Sequence, residues 1–156
     1  MPAWVAQLVE RFPEEEDVAS SILAPSTKML LVKTRIGPST IHGIGLFAAE
    51  FIPKGTMTWR FDRSVDGIYT KSEVGRLPEP KRSEILGMHF AYLSKQTGRY
   101  VDCGDAARFM NHADDPNTIE IEKEGEEERP NIAARDIQKG EEITIDYKLF
   151  AEGLDF

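Results

Sequence analysis

From Met29 onward, apolar and polar residues alternate in short runs broken by turn formers, the pattern of many brief strands with few helices. Met29 to Arg35 reads as a strand and Ile36-Gly-Pro-Ser39 as a turn. Leu46 to Ala49 and Thr56 to Phe61 read as strands around the turn Pro53-Lys-Gly55. Thr70-Lys-Ser-Glu73 has the spacing of a capping box and predicts a short helix, and Pro80 to Leu86 offers another before Gly87. His89 to Ser94 and Tyr100 to Asp102 predict a hairpin across Gln96-Thr-Gly98. Asp105 can cap one or two helical turns that end at Asn111. Thr118 to Glu122 and Asn131 to Arg135 flank an acidic stretch, Glu122 to Glu128, that reads as a solvated hairpin tip. After Gly140, Ile143, Ile145 and Tyr147 alternate with Thr144 and Asp146, the period of a half-buried strand. The expected architecture is a single, mostly β domain with short helices.

Residues 1–28 differ in character from the rest of the chain. They hold Glu14-Glu15-Glu16-Asp17 and the turn-prone Ala24-Pro25-Ser26-Thr27. The stretch from Trp4 to Thr27 resembles the conceptual translation of a bacterial tRNA gene, so an extension from a spurious start is expected, with 29–156 as the domain. The competing reading is an amphipathic helix with Val5, Leu8, Val9 and Phe12 on one face, ended by Pro13.

Composition narrows the function classes. The chain has 156 residues, enough for one domain with its own core. Its net charge of −8 argues against nucleic acid as a direct partner, which needs clustered Lys and Arg, and is compatible with a basic peptide or protein substrate. Solubility alone also explains an acidic surface. Cys103 is the only cysteine, so neither an internal disulfide nor a Cys/His zinc set is expected. No apolar run reaches the ~18 residues of a membrane span, and no basic segment precedes an apolar one as in a secretory leader. The expectation is a cytoplasmic protein without membrane contact; oligomeric state is open.

Three stretches carry candidate chemistry. Ile41-His42-Gly43-Ile44-Gly45-Leu46-Phe47-Ala48 has glycines that let main chain approach a ligand closely. It also matches the dinucleotide fingerprint G-x-G-x-x-A, but Pro53 and Gly55 come too soon for the long helix that fingerprint requires. Arg108-Phe-Met-Asn111-His112-Ala-Asp-Asp-Pro116-Asn117 ends an apolar segment in residues whose side chains compete for main-chain hydrogen bonds. Gly140-Glu-Glu-Ile-Thr-Ile-Asp146-Tyr147 closes the series. Taken singly, His112 reads as a structural histidine and Tyr147 as a core tyrosine on a strand.

Together, in this order, the three stretches resemble the SET domain family of S-adenosylmethionine-dependent protein-lysine methyltransferases, from about Met29 to Tyr147. The resemblance implies a SET-domain β-clip with a knot-like C-terminal crossing. It places His42, Gly43, Ile44 and Gly45 on the methionine end of S-adenosyl-L-methionine, and Asn111 and His112 on its adenine and amino-acid parts. Tyr147 matches the family's terminal tyrosine and is the expected catalytic residue, orienting the lysine nitrogen at the floor of an apolar channel. Phe90, Tyr92 and Tyr100 lie in segments that line the channel or cofactor site in relatives; Tyr92 and Tyr100 are the substrate-binding candidates. Phe150 is a candidate cover for the adenine face, and Arg108 and Phe109 are expected to brace the crossing. Many relatives carry Ser and a zinc-ligating Cys after the histidine; here Ala113 and Asp114 stand there, which points to a minimal, zinc-free, bacterial-type branch. The alternative is a catalytically degenerate SET or β-clip module that binds peptide or cofactor without turnover.

Overall fold

The computed structural model of the protein describes residues 30–88 and 90–153. The expected extension 1–28, with its alternative helix, lies outside the described residues, as do Met29 and His89.

The sheet system begins with an antiparallel pair, β1 (Thr34–Pro38) and β2 (Ile44–Ala48), in the register Gly37↔Gly45 and Thr34↔Ala48. The expected turn at Ile36 to Ser39 is therefore displaced: β1 runs through Pro38, and the chain reverses over 39–43. Ser39 decides this, because its hydroxyl accepts from the N–H groups of Ile41 at 2.9 Å and His42 at 3.3 Å while its own N–H reaches the Gly43 carbonyl at 3.0 Å. Gly43 adopts the left-handed φ of +48° that the reversal needs. No helix follows the glycines, in keeping with the rejection of a dinucleotide fold.

β3 (Met57–Trp59), β9 (Asn131–Ala133) and β8 (Thr118–Glu120) form a sheet in the order β3-β9-β8. A second sheet runs β11 (Ala151–Glu152), β5 (Ala91–Ser94), β6 (Tyr100–Asp102), β4 (Gly67–Tyr69). The predicted β5–β6 hairpin is antiparallel, with Tyr92 opposite Val101. α1 (Lys71–Arg76) carries the full capping box, Thr70 accepting from the Glu73 N–H and Glu73 reaching back to the Thr70 N–H at 2.7 Å. α2 spans Lys81–Leu86. Asp105 caps a short 3-10 helix, Ala106–Phe109, through the Ala107 N–H.

β7 (Asn111–His112) and β10 (Thr144–Ile145) form a parallel ladder, Thr144 opposite Asn111 and Ile145 opposite His112. The strand expected to run to Tyr147 stops at Ile145. Asp146 takes the N-cap position, accepting from the Lys148 N–H at 2.9 Å, and starts α3 (Tyr147–Phe150). The local preference of aspartate for a helix start outweighs the two-residue alternation.

The main core gathers Leu46, Ile52, Trp59, Val101, Met110, Ile137, Ile143 and Ile145 between the sheets; a smaller cluster packs Val74, Ile85 and Ala91 under the two helices. The acidic stretch differs from a uniformly solvated tip. Glu128 is only 2% exposed, accepting from the Ser94 and Thr97 hydroxyls at 3.0 Å each. Two donors from the β5 end make that burial tolerable for a carboxylate.

Candidate functional site

The β7–β10 ladder and the 39–45 loop converge on Asn111. Its Nδ2 donates to the carbonyls of His42 at 3.1 Å and Ile44 at 3.2 Å, and to Oε1 of Glu142 at 2.8 Å. The amide thus spends its donors on the loop, and its Oδ1 accepts nothing from the described residues. Glu142 in turn accepts from the Ser39 hydroxyl at 2.8 and 2.9 Å. Gly45 fits beside it only because it lacks a side chain: a Cβ there would stand 2.3 Å from Glu142 Oε1. Gly43 is exposed, and a Cβ built on it meets nothing within 4 Å, so the loop offers bare main chain to whatever binds.

Asn117 locks the next crossing of chain segments. It is 2% exposed; its Oδ1 accepts from the Thr144 N–H at 2.9 Å and its Nδ2 donates to the Glu142 carbonyl at 2.7 Å. The Thr118 hydroxyl adds a bond to the Thr144 carbonyl at 2.7 Å. In the sequence Asn117 reads as a turn former; its work is to pair main-chain groups of a distant segment. Neither Glu142 nor Ser39 stands out in the sequence, where the only local signal is a carboxylate pair, Glu141-Glu142, directly before an apolar strand.

Tyr147 stands at the end of the ladder. Its hydroxyl donates to the Met110 carbonyl. Burial pushes its phenol up to about 12, so the hydroxyl stays protonated at neutral pH. Its main-chain N–H donates to His112 Nδ1 at 3.1 Å, which requires that nitrogen to be unprotonated. Nε2 of His112 faces Asp114 Oδ1 at 3.4 Å.

An aromatic wall extends from Tyr147. Its ring lies 5.6 Å from His112 and 5.7 Å from Phe150, and Phe150 meets Tyr92 edge-on at 4.8 Å. Burial holds the Tyr92 phenol well above its ordinary range. Phe150 is thus the link between Tyr92 and Tyr147. Tyr100 is not brought to this wall. Tyr92 lies opposite Val101 on one face of the β5–β6 pair, so Tyr100, one residue along, falls on the other and packs on the Val74, Ile85 and Ala91 cluster. Phe90 is stacked under the Arg108 guanidinium at 4.8 Å, and Arg108 donates to the Cys103 carbonyl at 2.9 Å, so Arg108 ties the 3-10 helix to the end of β6. Cys103 is buried and its thiol is pushed far up by that burial, which leaves it unreactive. Among the described residues no helix is long and apolar enough to cross a membrane.

This arrangement is a SET domain. The family pattern for the SET domain matches residues 43–148, and the chain belongs to that family. It is 36% identical over 124 residues to a Schizosaccharomyces pombe histone-lysine N-methyltransferase, H3 lysine-4 specific, a match covering 76% of this chain and 13% of that protein. It is 33% identical over 119 residues to an H3 lysine-36 specific histone-lysine N-methyltransferase of Mycosarcoma maydis, covering 72% of this chain and 12% of that one. The chain therefore spans about an eighth of the length of these curated relatives. Among solved structures, it is similar to the Polycomb Repressive Complex 2 of Chaetomium thermophilum in an autoinhibited conformation bound to S-adenosylmethionine. The TM-score there is 0.57 at 25% identity, over 78% of this chain and 16% of that one. These relatives are eukaryotic and lend no support to the bacterial-type branch expected from the sequence.

Proposed function

We propose that the chain is a protein-lysine N-methyltransferase domain that uses S-adenosyl-L-methionine. One observation carries the reading: a single ladder, β7–β10, sets Asn111, bound to the glycine loop, beside His112, bound to the Tyr147 main chain. The knot-like crossing belongs to the same reading, supported by that parallel ladder and by the bonds of Asn117 and Thr118 to the 142–144 segment.

The residues suit the cofactor chemically. An amino-acid moiety presents an ammonium and a carboxylate; the open Oδ1 of Asn111 accepts from the first, and the exposed main chain at Gly43 serves the second. His42, Ile44 and Gly45 shape the loop, and His112 sets the neighbouring wall. S-adenosylmethionine, when held by these residues, would supply a methyl group on a positively charged sulfur, which would keep the electron pair of the carbon–sulfur bond as the methyl passed to the amine nitrogen. The protein's own task is to present a neutral amine in line. A free lysine, with pKa near ~10.4, is protonated at pH 7. Passage along Tyr92, Phe150 and Tyr147 desolvates the amine and favours release of its proton to solvent before transfer. The Tyr147 hydroxyl, its own proton donated to Met110, accepts from an amine N–H and orients the nitrogen without acting as a base. Alignment of this kind is worth ~7–11 kcal/mol in favourable cases.

The substrate class proposed is a lysine-bearing basic protein, in keeping with the net charge of −8. The two curated relatives carry different lysine specificities in their names, so no target lysine is carried over. The test is incubation with methyl-labelled S-adenosylmethionine and a panel of basic proteins, followed by mass-spectrometric assignment of the label. Label on lysine side chains is expected. Cofactor binding without transfer to any protein would establish the non-catalytic binding module instead.

A further inference from the structure

We propose that Glu142 is a positioning residue, holding the glycine loop and Asn111 in the one arrangement that can receive the cofactor; the inference rests on the cofactor reading above. Its carboxylate contacts both Asn111 and the two ends of the 39–45 loop. It accepts from Asn111 Nδ2 at 2.8 Å, accepts from the Ser39 hydroxyl through both oxygens, and fills the space beside Gly45. Ser39 passes the constraint on, since its oxygen receives the Ile41 and His42 N–H groups that form the loop's reversal.

The consequence lies in how Asn111 faces. An asparagine amide can turn over, exchanging its donor and acceptor ends at little cost in shape. An acceptor-only carboxylate at 2.8 Å, together with the carbonyls of His42 and Ile44, admits only the NH₂ end on that side. Oδ1 is thereby left pointing away from the loop as an acceptor for an ammonium. Glu142 touches no part of the ligand in this scheme and acts through Asn111 and Ser39.

The test uses Glu142→Ala, Glu142→Gln and Gly45→Ala in the whole chain. Two readouts are needed: calorimetry with S-adenosylhomocysteine, and amide hydrogen exchange at Ile41 and His42 without ligand. Glu142→Ala should weaken ligand binding roughly tenfold to a hundredfold, as loss of hydrogen bonds to a charged group does, and speed exchange at both amides. Glu142→Gln keeps one acceptor oxygen and should fall between the two, with partial recovery of slow exchange. Gly45→Ala drives its Cβ into the carboxylate and should mimic Glu142→Ala. Adding Glu142→Ala to Gly45→Ala should then cost little more, because both remove the same contacts. If Glu142→Ala does not fold, the Glu142→Gln and Gly45→Ala pair carries the comparison. Wild-type binding with variants unchanged in affinity and exchange overturns the positioning role. Wild-type protein that binds neither S-adenosylhomocysteine nor S-adenosylmethionine overturns the cofactor reading itself.

Discussion

The main-chain N–H of Tyr147 donates to Nδ1 of His112 across 35 residues of sequence, at 3.1 Å. The bond sits one step beyond the last pair of the β7–β10 ladder, Ile145 opposite His112. It carries the ladder's register past the point where Asp146 turns the chain into α3. The residue expected to orient the amine is therefore positioned by the residue expected to lie against the cofactor.

Replacing Tyr147 by Phe removes one hydroxyl and keeps the ring against Phe150. Turnover should fall by one to several orders of magnitude, at ~1.4 kcal/mol per tenfold. Cofactor affinity should stay nearly constant, and loss of the Met110 bond should cost about 1 kcal/mol in stability. Kinetics, calorimetry and urea unfolding of the same preparation separate the three. Tyr92→Phe should lose less turnover and Tyr100→Phe almost none; a Tyr147→Phe enzyme with a wild-type rate would shift the orienting role to Tyr92.

Asn111→Asp should harm cofactor binding more than Asn111→Ala. Alanine removes the bonds to the loop and the open acceptor, a loss of ~1–3 kcal/mol. Aspartate keeps an acceptor but loses both donors and sets a second carboxylate against Glu142, where the amide now approaches at 2.8 Å. Calorimetry on both variants with Glu142→Gln added tests the cause: removing the charge at 142 should narrow the gap between them.

Asn117→Ala should act on stability first. It strands the buried Thr144 N–H, which costs about 1–3 kcal/mol, and removes the partner of the part-buried Glu142 carbonyl. Urea unfolding should show the loss without any ligand. An Asn117→Ala protein as stable as wild type would mean that water replaces the amide.

Stability should fall between about pH 4.5 and 7 through Glu120. Burial raises its carboxyl to about 7, with Arg129 opposing and Glu128 adding to the rise, against an ordinary value of 4.5. The folded state holds this proton more tightly than the unfolded chain. The contribution is therefore fully present below about 4.5 and lost as pH climbs through about 7. Melting curves of wild type and Glu120→Gln from pH 5 to 8 should diverge, the variant becoming relatively more stable with rising pH. Parallel curves would assign the carboxyl a normal environment.

Much of this protein was written locally. The Thr70/Glu73 capping box, the β5–β6 hairpin and the Asp105 cap depend on residues a few positions apart, and all three form as the sequence predicts. The three motifs that mark the SET family are also runs of adjacent residues, so family, mostly β fold and cofactor class are legible in the sequence alone. Contacts across long separations are not. Period-two alternation extended the last strand to Tyr147, whereas Asp146 caps a helix there. The family resemblance grouped Tyr92 with Tyr100 as channel residues, whereas pairing with Val101 puts the two on opposite faces of the sheet. Asn117 read as a turn former and Glu142 did not stand out, because each meets its partners only after segments 25 to 103 residues apart come together. Local preference sets which elements form; the choice of which polar group satisfies which buried main-chain atom belongs to the tertiary structure, since an unmet partner is costly only once water is gone.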